Sequence, residues 1–280
     1  MGLSLRIDKG NDPTTGLRRI RSVLATWLAL PLRRRRVPTV RMLPPTARLL
    51  VGALAGVFLV ALSMMLFDAR ATAFAGTLPL WLVATFNEIT DFGQSKWFLV
   101  PIGLMIVAAA VLATPAAGRI STLVLTSLIV RLEFVFLAIA LPGLFVTIVK
   151  RLIGRVRPSQ LGPYAYMPLS WQPAYASMPS GHGTTAVAAA IAIGAIWPKA
   201  RVPMWIYAGL IALSRVVIQA HFVSDVIAAA FVGGFGAILV RNWFAARRLA
   251  FVPGADGAIH ALPGPIWRRL KAVARRLAGQ

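Results

Sequence analysis

Apolar residues along the chain gather into six long runs, near positions 49–67, 97–114, 122–148, 183–197, 203–219 and 225–240, separated by connections in which Pro, Gly and charged residues concentrate. A helix needs roughly 20 apolar residues to cross the hydrocarbon core of a bilayer. The pattern therefore predicts an all-α, polytopic membrane protein with six transmembrane helices. The fourth run is short for a span, and on this reading it starts at Pro179, at the depth of the lipid head groups. The third contains Arg131 and Glu133, which predicts that its membrane section begins beyond them. Between the first two runs, Leu78, Leu80, Trp81, Leu82, Val83 and Phe86 suit a helix lying on the membrane surface over 76–92.

Both ends of the chain are different in character. Ile20, Val23, Leu24, Trp27 and Leu28 recur at helical spacing beside Arg18, Arg19 and Arg21, the pattern of an interfacial amphipathic helix. A cleavable signal peptide over 18–32 is the competing reading. It is rejected because four arginines, Arg33 to Arg36, follow the apolar stretch where a small-residue cleavage site would stand. Near the C-terminus, Ile266, Trp267, Leu270, Ala274 and Leu277 share one helix face opposite five basic residues, and a second surface-lying helix is expected. The predicted organisation is a basic tail over 1–48, a six-helix domain over 49–245 and a basic tail over 246–280, with no internal repeat.

Composition sharpens this picture. Hydrophobic residues make up 58% of the chain and the mean hydropathy is +0.73, which does not suit a soluble protein. The net charge of +22, from 30 Lys and Arg against 8 Asp and Glu, would suggest nucleic acid in a soluble chain, but no nucleic-acid motif accompanies it. With six spans, 22 of the 30 basic residues fall on one side: both tails, Arg119, Lys199 and Arg201. The positive-inside rule then puts both termini in the cytoplasm, where the basic tails meet anionic lipids, and turns the connections after the first, third and fifth spans outward, toward the periplasm in a bacterium. The absence of cysteine removes disulfides, thiolate metal sites and Cys nucleophiles.

The outward connections hold the candidate chemistry. Lys150, Arg157 and Pro158 follow the third span; Pro179, Ser180, Gly181 and His182 precede the fourth; Ser214, Arg215, His221 and Asp225 join the fifth to the sixth. Two of the chain's three histidines are here. Three fixed cations, Lys150, Arg157 and Arg215, suit a tetrahedral oxyanion, since arginine forks bind phosphate bidentately and lysine acts as a point charge. Ser180 offers a hydroxyl, and Gly181 at a helix N-terminus offers backbone N–H groups. A histidine can be a nucleophile. Asp225, four residues after His221, can hold one ring nitrogen protonated and leave the other free to attack, while His182 can protonate the leaving oxygen. Arg215 and His221 are separated by about 240° on an ideal helix. If both meet one phosphate, the helix must break near Gln219 and Ala220.

These segments resemble the signature of the type 2 phosphatidic acid phosphatase superfamily, K-x6-RP, PSGH and SR-x5-H-x3-D, and match all eleven of its fixed positions over 150–225. The resemblance implies a six-helix membrane core and hydrolysis without metal or other cofactor. It implies His221 as nucleophile, Asp225 as its orienting partner and His182 as general acid, with Lys150, Arg157, Ser180, Gly181 and Arg215 binding phosphate. The superfamily also contains vanadium haloperoxidases, which are soluble, so the apolar spans argue against that activity. Its bacterial membrane members act on phosphatidic acid, phosphatidylglycerol phosphate, undecaprenyl pyrophosphate or lipid A.

The expected function is hydrolysis of a lipid phosphate or pyrophosphate, with lipid A and undecaprenyl pyrophosphate as specific candidates. A phosphotransferase with the same phosphohistidine and a non-enzymatic transporter or scaffold are the alternatives. The sequence leaves the oligomeric state open. Tyr164, Tyr166, Trp171 and Tyr175 are candidates for the substrate entrance. Arg151 and Arg155 are expected to be interfacial anchors. Asn87, Asp91 and Gln94 are expected to be loop polar residues, and Gly233, Gly234 and Gly236 to serve close helix packing.

Overall fold

The computed structural model describes residues 43–113, 118–160, 162–254 and 257–278, with shorter stretches between 25 and 41. The described residues form the helices α1 (Thr46–Leu66), α2 (Asp68–Ala75), α3 (Leu80–Asp91), α4 (Lys96–Leu112), α5 (Arg119–Ile153), α6 (Gly181–Ile196), α7 (Arg201–Val217), α8 (Val223–Ala245) and α9 (Trp267–Ala278). An antiparallel hairpin pairs β1 (Phe251–Pro253) with β2 (Ile259–Ala261). The helical class holds. Each of the six apolar runs is a helix, namely α1 and α4 to α8, and residues 80–91, within the segment between the first two runs, form α3.

The span count needs correction. Five helical stretches among the described residues are long and apolar enough to cross a membrane by length and composition, and α6 falls short of them with 16 residues. At 1.5 Å per residue it is about 24 Å long. The reason is its place in the bundle. The α6 helix packs against α5, α7 and α8, and its run of alanines, Ala186 and Ala188 to Ala190, is buried. A helix walled by protein has no need to match the hydrocarbon thickness. The small side chains let neighbours approach closely. At Gly233 an added Cβ would stand 2.6 Å from the Thr184 carbonyl oxygen, and at Gly236 one would stand 2.8 Å from Pro142, in keeping with a packing role for these glycines. The chain is a multi-pass membrane protein, and α1 presents Leu50, Val51, Leu54, Val57 and Phe58 outward, as a lipid-facing helix does.

The main core surrounds Phe134, whose ring meets those of Phe244 and Phe251 edge-on at 5.5 and 4.7 Å. A second cluster joins Ile106, Ala109 and Ala110 of α4 to Val124, Leu125, Ile129 and Leu132 of α5. Val273 of α9 is buried in it and Leu270 packs against it, while Ile266, Trp267 and Ala274 are exposed. The C-terminal amphipathic helix therefore forms and docks on the bundle. The side chain of Leu277, and the N-terminal helix expected around Ile20 to Leu28, lie outside the described residues.

The α5 helix is continuous over 35 residues, about 52 Å, and runs through Arg131 and Glu133. Arg131 is buried and donates to the carbonyls of Leu262 and Pro263 at 2.8 and 2.9 Å and to Ser127. Glu133 is buried with no hydrogen-bond partner for its carboxyl oxygens among the described residues.

Candidate active site

The α5 helix ends at Gly154, in the left-handed conformation at φ +64°. An added Cβ would lie 1.8 Å from the Met167 carbonyl oxygen, so only glycine fits. From there the chain runs extended. Val156 N donates to Ala165 O, Met167 N to Gly154 O, and Arg155 bridges to Tyr166. This short pairing fixes the segment that carries Arg155 and Arg157, one turn beyond Lys150. Arg157 donates from Nε to the Pro173 carbonyl at 3.0 Å. Burial lowers its pKa, against the opposing pull of Asp225.

The α6 helix starts at Ser180, whose Oγ accepts from Gly183 N at 3.3 Å as an N-cap. Its own N–H donates to the Asp225 carbonyl oxygen, which ties the start of α6 to the first turn of α8. A Cβ on Gly181 would meet nothing within 4 Å, so there is open space at this helix N-terminus. His182 follows. The junction of α3 and α4 lies against it, and a Cβ on Gly93 would come within 2.9 Å of its ring.

The predicted break between Arg215 and His221 is present. After α7 the chain closes with Ala220 N donating to Arg215 O and Gln219 N to Val216 O, both in a Schellman arrangement. Gln219 takes the left-handed position, at φ +52°, that glycine usually fills, and its side chain donates to the Thr72 carbonyl at 3.0 Å. The turn brings His221 back beside Arg215, and His221 N also donates to Arg215 O. Arg215 itself is buried. Its Nη1 donates to Thr90 Oγ1 of α3 at 2.7 Å, and its Nε has no partner among the described residues.

His221 is buried, with Nδ1 facing Asp225 Oδ2 at 3.7 Å and Ser177 Oγ at 3.5 Å. Burial lowers its pKa from the ordinary imidazole value, and Asp225 works against that lowering. Asp225 is held on every side. Its Oδ2 accepts from Ser177 Oγ and from Phe222 N, the N-cap backbone of α8, and its Oδ1 accepts from Arg155 Nη1 at 2.6 Å. It thus serves as both a helix-end residue and the neighbour of His221.

Arg155 is a correction to the expectation of an interfacial anchor. It is fully buried and bridges two carboxylates, Asp225 at 2.6 Å and Asp68 at 2.7 Å. It also donates to Ser224 Oγ and lies 4.2 Å from the Phe222 ring centre. Arg151 does stay at the surface, donating to the Trp171 carbonyl. Asn87 and Asp91 are also corrected: both stand on α3, not in a loop, while Gln94 follows it and donates to Asp91. Tyr164, Tyr166 and Trp171 are exposed beside the site and Tyr175 is half-buried.

The geometry brings together what the sequence scattered. His182 lies within electrostatic range of Arg215, His221, Arg157 and Lys150. All eight candidate residues stand at the end of the bundle where α5 ends, α6 begins, α7 ends and α8 begins. Five contributors were not foreseen: Asp68, Thr90, Arg155, Ser177 and Ser224. At the other end of the bundle, two cavities of about 410 and 610 Å³ are lined in part by Arg41, Arg201 and Arg241, and neither touches this cluster.

A family profile described as the PAP2 superfamily matches residues 132–249. A lipid A 1-phosphatase of Rhizobium etli is 32% identical over 205 residues, covering 71% of this chain and 86% of that protein. A lipid A 1-phosphatase of Rhizobium johnstonii is 31% identical over 204 residues, covering 71% and 82%. Among solved structures, the first transmembrane PAP2 type phosphatidylglycerolphosphate phosphatase from Bacillus subtilis aligns with a TM-score of 0.45 at 18% identity, over 79% of this chain and 94% of that one.

Proposed function

Because the chain belongs to the PAP2 superfamily and is a membrane phosphatase, a phosphoric monoester hydrolase, we propose that it removes the 1-phosphate of lipid A, or of a closely similar lipid, through a phosphohistidine formed on His221 at the periplasmic face. The observation that carries this reading is the gathering of three cations and two imidazoles around the open start of α6.

In this mechanism Lys150, Arg157 and Arg215 bind the non-bridging phosphate oxygens, joined by the N–H groups at the start of α6. The partnerless Nε of Arg215 is a buried donor that such an oxygen would satisfy. Burial and the nearby cations push the His182 pKa down to about 3, and the arriving dianion opposes that lowering and favours the imidazolium form that donates. Nδ1 of His221 faces Asp225, which leaves Nε2 to attack phosphorus. The P–O bond to the lipid breaks, and the leaving oxygen takes a proton from His182. Asp225 stabilises the positive charge on the phosphorylated ring. His182, now neutral, accepts a proton from water; the hydroxide attacks phosphorus, the P–N bond breaks, and inorganic phosphate leaves. The three cations supply the charge neutralisation, so no metal is required.

The positive-inside distribution supports cytoplasmic termini in the inner membrane and an outward-facing site. The lipid A assignment rests on the activity in the names of both Rhizobium relatives. The test is phosphate release by the purified protein in detergent from lipid A, phosphatidylglycerol phosphate and undecaprenyl pyrophosphate, with wild type beside His221→Ala. Wild type should release phosphate from lipid A fastest, and the variant should release none above background. Equal release from both would remove His221 as the nucleophile.

A further inference from the structure

The geometry points to Arg155 and Asp68 as a buried brace that positions the Asp225 carboxylate for His221, a role that rests on the proposed phosphohistidine chemistry. No residue of the eleven-position signature is either of these two. Arg155 is fully buried and holds Asp225 Oδ1 with one arm of its fork at 2.6 Å and Asp68 Oδ2 with the other at 2.7 Å. Asp68 is equally buried and accepts from Ser224 N and Ser224 Oγ as well. Because Arg155 occupies Oδ1, the second oxygen of Asp225 is the one left for Phe222 N, Ser177 and the approach of His221 Nδ1.

The charges make the role testable. Arg155 sits between two carboxylates, so it neutralises part of the field that Asp225 exerts on His221, and Asp68 in turn neutralises part of Arg155. Removing Arg155 leaves Asp225 more strongly negative toward the imidazole, which favours its protonated form. Removing the charge of Asp68 leaves Arg155 less compensated, which disfavours that form. The other ionisable groups near His221 are Arg215 of α7, Arg157 of the extended segment and His182 of α6, and both substitutions leave them in place.

The experiment measures kcat, KM and the acid limb of kcat/KM for wild type, Arg155→Met and Asp68→Asn, with His221→Ala in parallel. Both brace variants should lose about tenfold or more in kcat with KM within about twofold, the pattern of an interaction that acts on the transition state. The acid limb should move to higher pH in Arg155→Met and to lower pH in Asp68→Asn. A purely structural role would not move the two limbs in opposite directions. If Arg155→Met does not fold, Asp68→Asn, which keeps the side-chain shape, still decides by the direction of its limb. A raised KM with unchanged kcat would make Arg155 a phosphate ligand and overturn the brace. An acid limb unmoved in both variants, with His221→Ala inactive, would overturn the brace alone. An active His221→Ala would instead sink the phosphohistidine reading beneath it.

Discussion

Thr90→Val tests whether α3 is part of the catalytic apparatus. Thr90 lies outside the signature and outside the matched family region, yet its hydroxyl oxygen accepts from Arg215 Nη1 at 2.7 Å, and both side chains are almost completely buried. Valine keeps the shape and removes the acceptor. A hydrogen bond to a charged group is worth about 1.5–3 kcal/mol. Arg215 Nε already lacks a partner among the described residues, so the guanidinium has little else to hold its orientation. If that orientation matters fully in the transition state, kcat/KM should fall between about tenfold and a hundredfold, at about 1.4 kcal/mol per decade. The assay is phosphate release in detergent, with Thr90→Ser as the control that restores the acceptor. A thermal melt checks that all three proteins are folded. The reasoning is refuted if Thr90→Val keeps wild-type kcat/KM, or if Thr90→Ser loses as much as Thr90→Val.

Three further outcomes are expected. The acid limb of kcat/KM should lie below pH 6.5, because burial lowers the pKa of His221 from that value and the rate falls only when its Nε2 gains a proton; Asp225→Asn removes the group that opposes this lowering and should move the limb lower still, and a wild-type limb above 6.5 would contradict the assignment. Gly154→Ala should cost more than the roughly 1–2 kcal/mol of left-handed backbone strain, since its Cβ would meet a backbone carbonyl at 1.8 Å; an unchanged melting temperature in detergent would show that the 154–157 segment does not need this turn. The chain has no cysteine, so single cysteines at the exposed positions Gln160 and Lys199 report topology cleanly; a membrane-impermeant maleimide added to spheroplasts should label the first and spare the second, and the reverse pattern would turn the site toward the cytoplasm.

The gathering of the signature residues at one end of the bundle was legible because the chain delivers them in short segments at the ends of apolar runs that leave the membrane on one side. The break at Gln219 and Ala220 was legible too, from helix geometry alone: two groups about 240° apart cannot meet one anion from an unbroken helix. Other features were not written locally. The shortness of α6 was visible in its apolar run, but its enclosure by α5, α7 and α8 was not, because no property of 181–196 by itself announces those neighbours. Phe251 belongs to the main core although it follows the last apolar run, because the β1–β2 hairpin folds back onto Phe134.

Arg155 shows the limit most clearly. An arginine just past a helix end has two physical outcomes. It can stay at the surface, as Arg151 does with its donation to the Trp171 carbonyl, or turn inward if buried carboxylates await it. The choice depends on Asp225, 70 residues away, and Asp68, 87 residues away. Asp68 opens α2, directly after the lipid-facing α1, and no motif marks it. Stripping one partner from a fully buried ion pair costs about 3–5 kcal/mol. That magnitude ties the elbow between α1 and α2 to the segment that carries Arg155. The buried ion-pair network around Asp225 therefore extends N-terminal of the 132–249 region that the family profile matches, because the charge that balances Arg155 comes from residue 68.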